Sequence, residues 1–287
     1  MRHRCGQYPE CAPPRAFSLP MSPPFSPDPP ATFALNRRRF LGLVAGLPLG
    51  LAGRASAAGG RVGPDAEAEG QRLAAELRTQ PPPFNTAGLL RRRTPDGTWL
   101  PGMPVRLDVY ETSPGWRAVY QVFNPTGAVT QTLVVQYGPD SAATYEFTTL
   151  EPGGGAVQVR TFAGEEANLP FAGSDFWLAD LGLEFLRWPR QRLLKSEMRK
   201  GRRCLVLEST PARLRPEHYA RVVSWVDAEY RGLLRAEAYG ADGRLWKEFS
   251  IGSFKKVRGN WLLKQMEIRD ARSDSRTRLE FDLEIPG

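Results

Sequence analysis

The sequence predicts a mainly β domain with a few helices (α+β): roughly a dozen short antiparallel strands of the kind that form a barrel or a sandwich. Three observations carry this expectation. From Arg221 to Glu284, alternating runs such as VVSWV, LLRAEAY and NWLLKQMEIRD are broken by the turn signals Asp242-Gly243 and Arg258-Gly259-Asn260. A comparable meander from Val105 to Thr161 is punctuated by Ser113-Pro114-Gly115, Asn124-Pro125-Thr126-Gly127, Gly138-Pro139-Asp140 and Pro152-Gly153-Gly154-Gly155. In the last run, Thr277, Leu279, Phe281, Leu283 and Ile285 alternate with Arg276, Arg278, Glu280, Asp282 and Glu284, the period of a half-buried strand. The sheet therefore has one apolar face, which covers either its own packed side chains or a cavity.

The N-terminal part reads differently. Residues 1–35 are Pro-rich and without periodicity, either a disordered leader or a start placed too early, with Met21 the alternative. Residues 36–57 read as a twin-arginine signal peptide: Arg37 and Arg38 precede Phe40-Leu41, an apolar run follows to Ala52, and Ala55-Ser56-Ala57 offers a cleavage site after Ala57. The run is too short for a permanent membrane anchor. Residues 58–287 then form a single domain, long enough for a sizeable core.

Processing also changes the charge. Seven of the 39 Lys and Arg and two of the 31 Asp and Glu lie before Ala58, leaving 32 basic against 29 acidic residues. That near balance, in an exported domain, argues against a nucleic-acid partner. Cys5 and Cys11 fall in the leader and Cys204 remains alone, so no internal disulfide is expected.

Within the domain, Pro64 to Arg78 predicts a helix with Asp65 as cap and Pro81-Pro82-Pro83 as stop. Arg91-Arg92-Arg93 reads as a solvated charge run. Between the two meanders, Phe171 to Pro189 carries Trp177, Leu181, Phe185 and Trp188 at spacings of three and four, opposite Asp180, Glu184 and Arg187. This predicts an amphipathic helix capped by Ser174 or Asp175, ended by Pro189 and interrupted by Gly182. Its aromatic stripe either plugs the end of a barrel or forms a lid hinged at Gly182.

Groups that would carry catalysis are sparse. His218 lies in a loop-like stretch, and the chain has no G-x-S-x-G elbow, no H-E-x-x-H, no C-x-x-C and no glycine-rich phosphate loop before a helix. No metal ligand set, no cofactor and no enzymatic activity are expected.

Four motifs together resemble the outer membrane lipoprotein-sorting proteins of the LolA-like family. They are Gly173-Ser174-Asp175-Phe176-Trp177-Leu178-Ala179-Asp180-Leu181; Arg203-Cys204-Leu205-Val206-Leu207-Glu208-Ser209; Val223-Ser224-Trp225-Val226-Asp227; and the hairpin Ala238-Tyr239-Gly240-Ala241-Asp242-Gly243-Arg244-Leu245-Trp246-Lys247. The resemblance runs from about Pro64 to the end and is strongest from Gly173. It implies an incomplete antiparallel β-barrel with helices across its open side (LolA/LolB-like), located in the periplasm. It also implies a carrier that binds lipoprotein or lipid acyl chains on their way to the outer membrane. Membrane-bound donor and acceptor proteins and a monomeric state go with that reading. The alternative is an envelope lipid-sensing regulator of the same fold.

A soluble carrier needs an apolar cavity, since each methylene withdrawn from water contributes about 0.8 kcal/mol. The lining and lid are expected from Trp116, Tyr120, Leu133, Val135, Tyr145, Phe147, Phe176, Trp177, Leu181, Phe185, Trp188, Trp225, Leu279, Phe281 and Leu283. Strand parity decides which of them face inward.

Overall fold

Strand alternation resolves into one antiparallel sheet whose two meanders are sewn together by a strand the charge pattern conceals. The computed structural model describes residues 60–61, 65–81, 85–112, 115–138, 143–150, 157–199, 201–257 and 260–282. Its strands in chain order are β1 (Gly60–Arg61), β2 (Thr86–Arg93), β3 (Met103–Thr112), β4 (Gly115–Phe123), β5 (Val129–Tyr137), β6 (Thr144–Leu150) and β7 (Val157–Ala163). The second series is β8 (Arg190–Arg199), β9 (Arg202–Thr210), β10 (Arg221–Asp227), β11 (Leu233–Tyr239), β12 (Leu245–Val257), β13 (Asn260–Asp270) and β14 (Ser275–Asp282). Strands β2 to β7 form one meander and β8 to β14 another, β1 pairs beside β8, and the meanders join where β14 pairs with β2, giving the order β1-β8-β9-β10-β11-β12-β13-β14-β2-β3-β4-β5-β6-β7. Among the described residues, the edge strands β1 and β7 do not pair with each other, so this 14-stranded sheet stays open, an incomplete barrel.

Arg91-Arg92-Arg93, expected as a solvated run, ends β2 at the centre of this sheet. Alternation explains how three arginines fit there. Arg92 points to the concave side, where its Nη1 donates to the Gly173 carbonyl at 2.5 Å. Arg91 lies on the other face, over the Trp99 ring that Arg278 of β14 also covers. The segment expected as two strands, RLWKEFSI and FKKV, is the single strand β12, which stays paired to β13 through a bulge between Ile251 and Phe254.

Helix α1 (Ala66–Arg78) forms as expected, although the Asp65 side chain makes no cap hydrogen bond. Leu73, Ala74 and Leu77 form its buried stripe against Leu186, Trp188 and Leu207. Gly70 lets the helix touch the sheet: a Cβ there would stand 2.6 Å from the Gln191 backbone of β8. Gln71 fixes the contact by donating Nε2 to the Pro189 carbonyl at 2.6 Å. Among the described residues, no helix is long and apolar enough to cross a membrane.

The connection from β7 to β8 crosses the concave face. The continuous helix expected over Phe171 to Pro189 is absent. The segment is a 3-10 turn at Phe171–Gly173, one turn of α-helix, α2 (Leu178–Leu181), and a second 3-10 turn at Glu184–Arg187. Ala172 and Leu183 break the path with positive φ values of 52° and 49°. The periodic stripe is real but tertiary contacts override it. Asp175 turns away from capping to accept hydrogen bonds from Ser275 Oγ at 2.5 Å and Thr277 Oγ1 at 2.8 Å on β14. Asp180 instead bonds the start of α2, accepting from Trp177 N–H at 2.8 Å.

Candidate functional site

The linker joins two apolar clusters and leaves a space between them. Phe171, Phe176, Leu178 and Leu181 pack with Leu107, Leu133, Tyr145 and Leu279 in the first cluster. Phe185, Leu186 and Trp188 pack with α1 and with Val222, Ala236 and Ala238 in the second. Between them lies a cavity of about 370 Å³, within the range of small-molecule pockets in general. Its walls are Leu107, Trp116, Tyr120 and Tyr137 on one side and Tyr219, Val222, Ala236 and Ala238 on the other. Phe249, Met266, Ile268 and Phe281 line it from the sheet, and Phe176, Leu181, Gly182 and Phe185 from the linker.

Tyrosine hydroxyls fasten the linker over this space. Tyr120 and Tyr137 donate to the Leu181 carbonyl at 3.4 and 3.3 Å, and Tyr145 donates to Glu184 Oε2 at 2.8 Å. Burial pushes the Tyr120, Tyr137 and Tyr145 phenols well above their usual range, so all three remain donors at neutral pH. Gly182 is a contact point rather than a mid-helix hinge. It follows α2 with φ −84° and ψ −4°, and a Cβ there would lie 2.2 Å from the Tyr145 hydroxyl oxygen.

A buried ion pair anchors the other side. Lys247 of β12 is 2% exposed and donates to the Asp175 carbonyl at 2.6 Å and to Asp180 Oδ2 at 3.2 Å. Its ammonium sits 3.7 Å from the centre of the Trp177 ring, which stacks on Tyr219 at 4.6 Å. Tyr219 in turn donates to Asp180 Oδ1 at 3.0 Å. Burial depresses the Lys247 pKa, with Asp180 opposing. Two of the sequence motifs thus meet in space: the G-S-D-F-x-x-x-D-L segment supplies Asp175, Trp177 and Asp180, and the hairpin supplies Lys247.

The expected lining residues divide into five groups. Trp116, Tyr120, Phe176, Leu181, Phe185 and Phe281 border the cavity. Leu133, Val135, Tyr145, Phe147, Trp188 and Leu279 are buried on the same side but pack within the clusters, away from the open space. Trp177 belongs to the lysine anchor and does not border the cavity. Trp225 lies on the opposite face of β10, packed with Cys204, Val206 and Val223, and its Nε1 donates to Glu197 Oε1 at 2.6 Å. Parity explains that correction: Val222, Ser224 and Val226 take the inward positions of β10, so Trp225 must point outward. Leu283, Arg37, Arg38 and Ala57 lie outside the described residues.

Lys247, Tyr219, Tyr137 and Glu184 were not anticipated. The signal for Lys247 was present, since it shares the parity of Phe249 and Ile251 on β12 and a lysine at an inward position needs a buried partner. His218 shares a side-chain contact with Asn168, Nδ1 to Nδ2 at 2.8 Å, next to the anchor tyrosine. Among the described residues, no group of three or more His, Cys, Asp or Glu comes together as a metal site would require.

Comparison with known proteins agrees with this architecture. The family model matching residues 156–284 carries the description "Uncharacterized protein". Curated protein sequences give no match. Among solved structures, a DUF1329 family protein from Desulfovibrio piger is 20% identical with a TM-score of 0.59, over 77% of this chain and 95% of that one. An outer membrane lipoprotein-sorting protein domain from Vibrio parahaemolyticus is 19% identical with a TM-score of 0.59, over 76% and 94%. A LolA superfamily protein from Nitrosomonas europaea is 18% identical with a TM-score of 0.50, over 77% and 95%. The open antiparallel sheet, the linker across its concave face and these likenesses give the chain the LolA-like fold.

Proposed function

We propose that this protein is a periplasmic carrier that binds acyl chains of lipids or lipoproteins in its concave cavity, in sorting toward the outer membrane. The observation that carries the reading is the cavity of about 370 Å³ between the linker and an apolar sheet face. A chain entering it exchanges water for Trp116, Phe185, Phe249 and Phe281, and each methylene contributes about 0.8 kcal/mol. Carriage requires no reacting group, and we assign none. In this reading the twin-arginine segment with Arg37 and Arg38 directs export, cleavage follows Ala57, and the domain 58–287 works as a monomer between membrane-bound donor and acceptor proteins.

The test uses N-phenylnaphthylamine, an uncharged apolar probe that brightens on leaving water. The parent protein should bind it and release it to an added fatty acid. Ala236→Phe, which places a ring into the cavity wall, should keep the fold by circular dichroism and lose most of the binding. Equal binding by both proteins would place the probe elsewhere and remove the cavity from the proposal.

A further inference from the structure

The cavity has its mouth at one end of the sheet, and we infer that this rim docks on an anionic phospholipid surface. The inference rests on the carrier reading for its purpose, transfer of a chain between cavity and bilayer, and on separate observations for its location. The lining residues that are solvent-exposed are Gln80, Pro81 and Gly232. They lie together, just past the end of α1 and in the β10–β11 turn, which Arg231 ties to Glu76 of α1 at 3.1 Å. The β8–β9 hairpin stands beside that turn, since Ala228 N–H donates to the Arg203 carbonyl at 2.9 Å.

Apolar side chains left out of the core come first. Met198 at 67% and Tyr230 at 65% are the most exposed large hydrophobic residues among those described. The turn itself holds Tyr230 in place. Buried Asp227, the last residue of the Val223–Asp227 motif, accepts hydrogen bonds from the Glu229 and Tyr230 N–H groups at 2.9 Å each. A tyrosine with an apolar ring and a wet hydroxyl suits the headgroup level of a membrane. Charge comes second. Residues 198–203 include four Lys and Arg and no carboxylate. The acids around them are matched: Glu197 pairs with Lys195, Asp227 with Arg202 and Glu76 with Arg231. Among the described residues, Arg199 and Arg203 form no ion pair; Arg203 donates to Ser196 Oγ at 3.0 Å and Arg199 covers the Trp225 ring at 5.0 Å. Only exposed Glu229 stands against them on these two tips. Arg202 lies over the Tyr230 ring at 4.7 Å and joins the hairpin to the turn. Met198 pairs with Arg203 and Arg199 with Arg202, so the hairpin carries a cation on each face. Two narrow tips of this composition suit a fluid surface that closes around them, with phosphates reaching the guanidinium groups from either side.

The experiment is co-sedimentation with vesicles of phosphatidylcholine alone and of an equimolar mixture with phosphatidylglycerol. The parent should bind the mixed vesicles more strongly, and about 0.5 M salt should release most of it. Each cation near an anionic surface contributes about fivefold to binding, so Arg199→Gln with Arg203→Gln should weaken it about 25-fold. Tyr230→Ser should weaken it on its own, by loss of the ring that enters the interface. Arg213→Gln with Arg244→Gln removes the same charge from the β9–β10 and β11–β12 connections, at the opposite end of the sheet, and should bind as the parent does. Equal binding by the parent and the Arg199–Arg203 variant, or an equal loss in the opposite-end variant, would overturn the assignment of this rim. A parent that binds neither vesicle, or both alike, would overturn docking on an anionic bilayer and leave the tips to an acidic protein partner. None of these four arginines, nor Tyr230, lines the cavity, so every variant should take up N-phenylnaphthylamine like the parent when no vesicles are present, which certifies the fold. Failure of the carrier reading itself shows separately, as a parent protein that binds no probe.

Discussion

Replacing Gly182 by alanine separates the structure from the sequence pattern, because the two predict opposite signs. In a helix interior, alanine is favoured over glycine by about 1 kcal/mol, and the periodic stripe of Phe171 to Pro189 would lead one to expect stabilisation. The structure puts the new Cβ 2.2 Å from the Tyr145 hydroxyl oxygen, 2.5 Å from Cε1 and 2.6 Å from Cζ. Carbon contacts are comfortable at about 3.5–4.0 Å, so the ring must withdraw by about 1 Å or more. Tyr145 is fully buried among well-packed neighbours and holds Glu184 at 2.8 Å. Overpacking costs about 1–3 kcal/mol, and a weakened hydrogen bond to a carboxylate adds about 1. A net loss of about 2–4 kcal/mol lowers the melting temperature by about 5–15 °C for a domain of this size. Thermal and urea melts followed by circular dichroism measure it. In a Tyr145→Val background the clash is gone, and the same change should cost under about 1 kcal/mol, exposing the coupling. A Gly182→Ala protein as stable as the parent, or an equal loss in both backgrounds, would refute the contact.

Lys247→Met leaves Asp180 buried without its cation and should destabilise by about 3–5 kcal/mol in a chemical melt, part of which Asp180→Asn restores. Because burial lowers the Lys247 pKa below its ordinary 10.5, the unfolded chain holds the extra proton, and this group makes stability rise with pH between the two values. Subtracting the Lys247→Met profile from the parent's isolates that slope; a flat difference would contradict it. Phe185→Ala, which opens space in a cluster and in the cavity wall together, should cost about 3–5 kcal/mol and also weaken N-phenylnaphthylamine binding under conditions where the variant is folded. Trp225→Ala should lower stability by a similar amount while leaving probe affinity as it was, since its ring lies on the other face; altered affinity would challenge that placement.

Strand existence was legible because period-two alternation is local, and Thr277, Leu279 and Phe281 face inward as the pattern of β14 implies. The central position of β2 was not, because Arg91, Arg92 and Arg93 mask an alternation that is satisfied by long side chains reaching both faces. Burial on both sides of β10 also hid its parity: every residue from Val222 to Asp227 is buried, so hydrophobicity alone does not distinguish Trp225 from Val226. The linker failed as a helix prediction for a different reason. Its apolar spacing fits a helix, but Asp175, Leu181 and Glu184 each have a partner on the sheet, and those bonds outweigh the intrahelical ones. Six of the expected lining residues border the cavity, while the anchoring lysine and tyrosines emerge only when segments distant in sequence come together.

The most direct test of the central claim is native mass spectrometry of the protein purified from its expressing cells without detergent, alongside Ala236→Phe. The account predicts a parent protein carrying an acyl-chain amphiphile, a lipid or a lipidated peptide, and a variant that arrives bare. A parent and variant with identical spectra, both empty or both loaded, would contradict it.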